Sequence, residues 1–382
     1  MRKRIILYIT GSRADYGLMK SLLKRILSSH ALKLKIIVTG MHLMKEFGYT
    51  VKEVLKDGYD VKIINATYKN DDKESMVIFL GLFLQKLIEY IKTIKIDIIL
   101  LLGDRSEMLA GAIAGAYLSI PIAHIHGGEI SSTVDDTIRH TISKIANIHF
   151  PASKQSAKYL KYIGENSKNI YITGAPGLDI IYQNKDKINP DIIKKYNIDL
   201  NNPLIIVVQH PVTLEYEAAA MQIQITLDAI KELKYPTIVI YPNADASGKQ
   251  MIKIIQRYSK LPFIKIFKNI EHNDFIELMK ISDAIVGNSS SALIEAPSLS
   301  LPAINIGTRQ KGRLKTRNVI NVTYNKNEIK NAINKALFDK RFLYTLKRIK
   351  NPYGNGNAGK KIEYFLSNIK LNKKDLQKNV EV

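Results

Sequence analysis

The chain contains no cysteine and no tryptophan, and acidic residues are scarce: 35 Asp and Glu stand against 57 Lys and Arg in 382 residues. Without cysteine there is no disulfide and no thiolate zinc site, and a reducing cytoplasm is the expected setting. No apolar run approaches the ~20 residues of a membrane span. The run Ile96–Asp104 ("IDIILLLGD") instead has the length and closing acid of a buried parallel strand. The opening "MRKRIILYITG" turns polar too soon for a signal peptide. The formal charge of +22 raises nucleic acid as a partner. However, the lysines are scattered along helical stretches, and no arginine-rich arm, stacking motif or helix-turn-helix pattern accompanies them. A small anionic substrate is the better match for such a field. No nucleic-acid or membrane partner is expected.

What is present is alternation. Apolar strand-like runs occur at Arg4–Thr10, Leu34–Thr39, Asp60–Ile64, Asp97–Leu102, Pro121–Ile125 and Asn169–Thr173, with helical stretches such as Leu18–Ser29, Ser75–Lys95 and Glu107–Leu118 between them. After a polar crossover containing Pro190, Asn201, Asn202 and Pro203, the pattern restarts at Leu204–Gln209, Thr237–Tyr241, Phe263–Phe267, Ala284–Gly287 and Ala303–Ile306. This predicts an α/β chain of two doubly wound parallel sheets. The expected divisions are 1–180, 181–353, and 354–382 for a terminal helix and polar tail. Ligands of such sheets bind at the carboxyl ends of the strands.

The chemistry-bearing residues concentrate at those ends. "GSRADYG" (Gly11–Gly17) has an arginine and an aspartate where a dinucleotide loop would be bare. "GNGNAG" (Gly354–Gly359) matches a nucleotide fingerprint in letters, but lacks the preceding strand, so NAD is not expected. In "GNSSSALIEAP" (Gly287–Pro297) a strand runs into three serines and a helix. Hydroxyls and free N–H groups there form an anion site, or simply an N-cap. Glu295 beyond them suits ribose hydroxyls. "GDR" (Gly103–Arg105) offers a guanidinium for a diphosphate, or a local ion pair. "HIHGGE" (His124–Glu129) and "DDTIRH" (Asp135–His140) are dense in acid–base groups. His124 and His126 share a strand face, a spacing compatible with zinc, yet HExxH and related motifs are absent, and no metal is expected. His149 and His272, remote from these motifs, read as structural.

Taken together, "TGSRADYG", "TGMH", "GDR", "HIHGGE", "DDTIRH", "HPVT", "YPNADASG", "GNSSS", "INIGTRQKGR" and "NPYGNGNA" resemble the hydrolysing UDP-N-acetylglucosamine 2-epimerases of sialic acid biosynthesis, from Ile5 to about Lys361. The resemblance implies the GT-B fold, with the active site between two Rossmann-like domains. It implies that UDP is eliminated from C1 as the C2 proton is removed, that water then adds to the 2-acetamidoglucal, and that N-acetylmannosamine and UDP leave. No cofactor is implied. By position it assigns UDP contacts to Arg13, His210, Asn243, Ser289, Ser290, Glu295 and Arg309, and sugar–diphosphate contacts to Arg105 and His42. Catalytic roles fall to Asp104, His126, Glu129 and Asp135. Many relatives carry glutamate where this chain has His126, so His126 or Glu129 takes that role here. The same chemistry on UDP-2,4-diacetamido-2,4,6-trideoxyglucose, the legionaminic acid pathway, is the rival expectation. Lys249 matches a position near a feedback site in animal relatives, but the rest of that site is unmatched and no feedback is predicted. A homodimer or homotetramer is the family's habit.

Overall fold

The computed structural model describes residues 2–131, 133–183 and 188–370. The polar tail expected after the last helix lies outside these. Two six-stranded parallel sheets account for the architecture. In the first, β1 (Arg4–Thr10), β2 (Leu32–Val38), β3 (Val61–Ile63), β4 (Ile98–Leu102), β5 (Ile122–Ile125) and β6 (Ile148–Phe150) lie in the order β3-β2-β1-β4-β5-β6. In the second, β7 (Ile205–Val208), β8 (Thr237–Ile240), β9 (Ile264–Phe267), β10 (Ala284–Gly287), β11 (Ala303–Ile306) and β12 (Val319–Val322) lie in the order β12-β11-β10-β7-β8-β9. Each is a Rossmann order running outward in both directions from its first strand. The arrangement is the GT-B fold.

The reason lies in the strand sequences. Both faces of each sheet are covered, so the strands are apolar almost throughout rather than alternating. Leu7 and Ile9 of β1 join Ile99 and Leu101 of β4 against the helices Lys73–Ile91 and Ser106–Tyr117. Ile6 and Tyr8 face the other way, onto the helices Arg13–Ser28 and Ala358–Asn368. The period of two thus divides one strand between two packed layers.

Two strand assignments differ from expectation. Asn169–Thr173 is not a sheet strand; Ile170 makes a single bridge to His149. Its "NIYIT" alternation serves an edge segment, where Tyr171 N–H donates to the His149 carbonyl at 2.9 Å. The sixth strand is Ile148–Phe150, three residues too short to stand out as an apolar run. β12 escapes sequence reading because "VINV" is only partly buried and is interrupted by Asn321.

The terminal helix Ala358–Asn368 returns to the first sheet, as the glycine turn before it implies. Ile362 and Leu366 enter the cluster around Ile6 and Tyr8. Gly354 and Gly356 take φ of +129° and +79°, values that L side chains avoid. The start of the helix is held by Asp179, whose carboxylate accepts from Ala358 N–H at 2.9 Å and Gly359 N–H at 2.7 Å. Asp179 belongs to the helix Leu178–Gln183, which spans the expected division at 180. Its Leu178 and Ile181 pack in the second sheet's core, so this helix bridges the two domains. Asp179→Ala should therefore lower unfolding stability by about 2 kcal/mol, seen as a lower urea midpoint with an unchanged denaturant slope.

Candidate active site between the two sheets

The carboxyl ends of the two sheets face each other across a cavity of about 260 Å³. From the first domain it is lined by Arg13, Asp104, Arg105, His126, Glu129 and Asp135, and from the second by His210, Asn243, Ser289, Ser290 and Arg309. Eleven of the thirteen expected site residues therefore meet in one place.

Arg13 is the first helical residue after β1, with Ser12 as N-cap. Asp15 closes the capping box and accepts from Gly11 N–H at 3.1 Å and Ser12 N–H at 3.0 Å. Burial pushes the Asp15 carboxyl up to about 6, against the pull of Arg105. Asp15 thus shapes the turn, and Arg13 is left to reach into the cleft. Gly17 completes this motif for a steric reason. A Cβ there would meet His272 Cβ at 2.6 Å and Cγ at 2.7 Å, so glycine allows the helix His272–Ile281 of the second domain to approach.

Asp104 and Arg105 do not pair with each other. Arg105 lies 3.4 Å from buried Glu107 and donates to the Tyr68 hydroxyl at 3.3 Å. Asp104 is bound by Arg139, whose guanidinium also reaches Asp136 at 2.6 Å and the Glu129 carbonyl at 2.9 Å. Sequence reasoning quoted Arg139 inside "DDTIRH" without giving it a role. Its i,i+3 spacing from Asp136 on the helix Val134–Ile145 was the available signal.

At the far end of "HIHGGE", His126 Nδ1 lies 2.5 Å from Glu129 Oε1, and Glu129 Oε2 lies 2.9 Å from Arg313 of the second domain. Burial alone would raise the Glu129 carboxyl. Arg313 and His126 overcome this and hold it below the ordinary glutamate value. Asp135 makes a second contact across the cleft, 3.7 Å from Arg309.

On the second sheet, Asn243 N–H donates to His210 Nδ1 at 3.1 Å. Burial, reinforced by Arg309, Arg105 and Arg13, drives His210 well below the ordinary histidine value. The ring is neutral, and with Nδ1 accepting, its proton sits on Nε2. The serines lead into a single helical turn, Ser291–Ile294, so an anion there would meet serine hydroxyls and loop N–H groups.

Two expected site residues are placed elsewhere. His42 is fully buried behind the cleft, with Nε2 3.0 Å from the Thr10 hydroxyl and Nδ1 2.8 Å from that of Thr50. Burial, aided by Arg105, pushes it down to about 3, so it is a neutral scaffold residue. Its placement at a strand end made it resemble a ligand contact. Glu295 is 2% exposed and does not line the cavity. Its Oε2 has no hydrogen-bond partner among the described residues. Burial pushes it up to about 7, with His126 and Arg313 opposing. His124 likewise turns into the core, between the Ser143 hydroxyl and the Gly103 carbonyl. Lys249 pairs with Glu46 at 3.2 Å. His149 is structural as expected, 2.9 Å from Glu165. His272, expected to be structural, lines the cavity together with Lys268, Asn269 and Phe275. The segment "KNIEHNDF" that carries these follows β9, and the strand-end rule applied to it would have found them.

Comparison with known proteins agrees with this geometry. The family model for UDP-N-acetylglucosamine 2-epimerase matches residues 24–367. The chain belongs to that family. It is 38% identical to the UDP-N,N'-diacetylbacillosamine 2-epimerase (hydrolyzing) of Legionella pneumophila over 98% of both chains. It is 36% identical to the UDP-N-acetylglucosamine 2-epimerase of Neisseria meningitidis serogroup B over 87% of both. Among solved structures, a UDP-GlcNAc 2-epimerase from Neisseria meningitidis bound to UDP-GlcNAc superposes with a TM-score of 0.80, at 22% identity, covering 95% of this chain and 100% of that one. At that identity the likeness speaks to the fold, and it is the fold of this epimerase family.

The buried Glu295 gives a pH signature. A carboxyl raised from 4.5 to about 7 by folding leaves stability intact below its unfolded value, and stability declines as pH rises through the folded one. Glu295→Gln should remove that decline, worth on the order of 3 kcal/mol between pH 4.5 and 8. Denaturation midpoints of the two proteins across that range provide the check.

Proposed function

We propose that this protein is a hydrolysing UDP-sugar 2-epimerase whose substrate is UDP-N,N'-diacetylbacillosamine, that is, UDP-2,4-diacetamido-2,4,6-trideoxyglucose. The observation that carries the reaction class is the pairing of chemistries across one cavity. Carboxylates and an imidazole stand on the first sheet; arginines, a neutral histidine and serines stand on the second. Elimination at C1 and C2 needs both at once: a base for a weakly acidic C–H, and cations for the departing diphosphate. Substrate choice is supported by the 38% identity to the Legionella enzyme over 98% of both chains, which favours the rival sugar of the sequence reading over UDP-N-acetylglucosamine.

In this reading Arg309, Ser289, Ser290 and the His210 Nε2–H hold the diphosphate, and Arg13 and Arg105 close on it from the first domain. Asp104, Asp135 and His126 serve the sugar. One group takes the C2 proton as the C1–O bond to UDP breaks, leaving the glycal. Water then adds at C1, and C2 receives a proton on the opposite face. The free 2-epimeric sugar and UDP are the products. Asp104 is oriented by Arg139, so its carboxylate keeps one position through both steps.

The direct test incubates the protein with each sugar nucleotide and follows UDP and free sugar by NMR. UDP release from the diacetamido substrate, with a free 2-epimer, is expected. Preferential turnover of UDP-N-acetylglucosamine would move the substrate to that sugar, and a product still attached to UDP would exclude hydrolysis. Asp104→Asn should lower kcat by about a hundredfold or more while UDP still binds. Arg309→Ala should instead weaken UDP binding about tenfold or more, which calorimetry would read directly.

A further inference from the structure

We propose that Arg313 is a positioning residue acting across the cleft. By holding Glu129, it fixes the proton of His126 on Nδ1, so this side chain is set for proton transfer only when the two domains are closed. The proposal rests on the reading of His126 as a proton-transfer group and adds to it a dependence on domain closure.

The contacts form a chain. Glu129 splits its two oxygens, one 2.5 Å from His126 Nδ1 and one 2.9 Å from Arg313. The side chains of Glu129 and Arg313 are 3% and 9% exposed. An ionised carboxylate only accepts hydrogen bonds, so the nitrogen facing it carries the proton. The other nitrogen, Nε2, then belongs to a ring that lines the cavity, and it is left to exchange a proton with substrate.

The backbone of this loop is fixed within the first domain. His126 N–H donates to the Phe150 carbonyl at 3.1 Å, and Arg139 donates to the Glu129 carbonyl at 2.9 Å. His126 itself sits at φ +64°, a conformation a non-glycine residue adopts only where its surroundings enforce it. A Cβ on Gly127 would meet Ser143 Oγ at 2.8 Å and His124 Nδ1 at 2.9 Å, so the loop has no room to shift.

The Glu129 carboxylate is different, because its cation comes from the other domain. Arg313 ends the "GTRQKGR" segment after β11. When the domains part, Glu129 keeps His126 and loses Arg313. A buried carboxylate left with a single neutral partner is costly, and it then draws a second proton onto the imidazole. The charged groups facing His126 are few. His124 comes from β5, Glu129 from its own loop and Glu295 from the second domain, while Arg313 acts on both glutamates. Arg313 is the cation among them, so its removal changes the balance in one direction.

The experiment compares Arg313→Gln and Arg313→Lys in the full chain. With Arg313→Gln, kcat should fall about tenfold to a hundredfold with KM for the UDP-sugar little changed. The acid limb of the kcat–pH profile should move to higher pH, because the Glu129 charge is no longer shared. Arg313→Lys should recover most of both. Nitrogen-15 spectra of histidine-labelled protein with UDP bound, assigned with His126→Gln, give a readout independent of turnover. His126 should be the Nδ1–H tautomer in the parent and lose that uniformity in Arg313→Gln. A change in KM alone, or His126 shifts identical in parent and Arg313→Gln, would overturn the proposal. If the parent protein released no UDP from either sugar nucleotide, the functional reading would fail, while the spectra would still decide the role of Arg313.

Discussion

Arg139 has only 1% of its side chain exposed, yet it carries a charge that must be met in full. It is met by Asp104 at the end of β4, by Asp136 on its own helix and by the Glu129 carbonyl in the loop after β5. Those acceptors come from two successive strand–helix units: Asp104 from the turn after β4, Glu129 and Asp136 from the loop after β5 and the helix it enters. A buried guanidinium with fixed donors aligns them, because leaving any donor unmet costs more than distorting a loop. Asp136 in turn accepts from Ser131 N–H at 2.7 and 2.9 Å. The cleft-facing end of the first sheet is therefore one hydrogen-bonded unit rather than a set of independent loops.

The second domain meets this unit with charge of the opposite sign. Arg309 approaches Asp135 and Arg313 approaches Glu129. These contacts do two things at once. They join the domains across the cavity, and they keep guanidinium groups on its wall. On the proposed function an incoming diphosphate would compete with Asp135 for Arg309, so ligand binding and domain contact would draw on the same cations. The overall charge of +22 acts at longer range, raising the local concentration of an anionic substrate.

How far these features could be read in advance depended on their range in the chain. Most strands were found, because a fully buried strand such as "IILLL" needs apolar residues at every position. β6 and β12 were not, since "IHF" and "VINV" are short and each broken by a polar residue. The strand-end rule picked out Arg13, Asp104, Arg105, His210 and Arg309, and all five line one cavity, because loops at those ends converge. His42 lies outside that lining, its ring turned inward to two threonines, and His272 reaches the lining through the helix that packs against Gly17.

Composition and local pattern were enough to predict two parallel sheets with charged and polar residues gathered at their strand ends, while the cleft between the sheets was implied by the family resemblance. The sheets and their polar ends follow from burial and from the direction of the strands, which each segment encodes locally. The partners of each charge followed from distance in space alone. Asp104 stands beside Arg105 in the chain but pairs with Arg139, thirty-five residues on. Glu129 is held by Arg313 from the other domain. Such pairings depend on how two rigid sheets are set against each other, and on which side chains remain buried there without another partner.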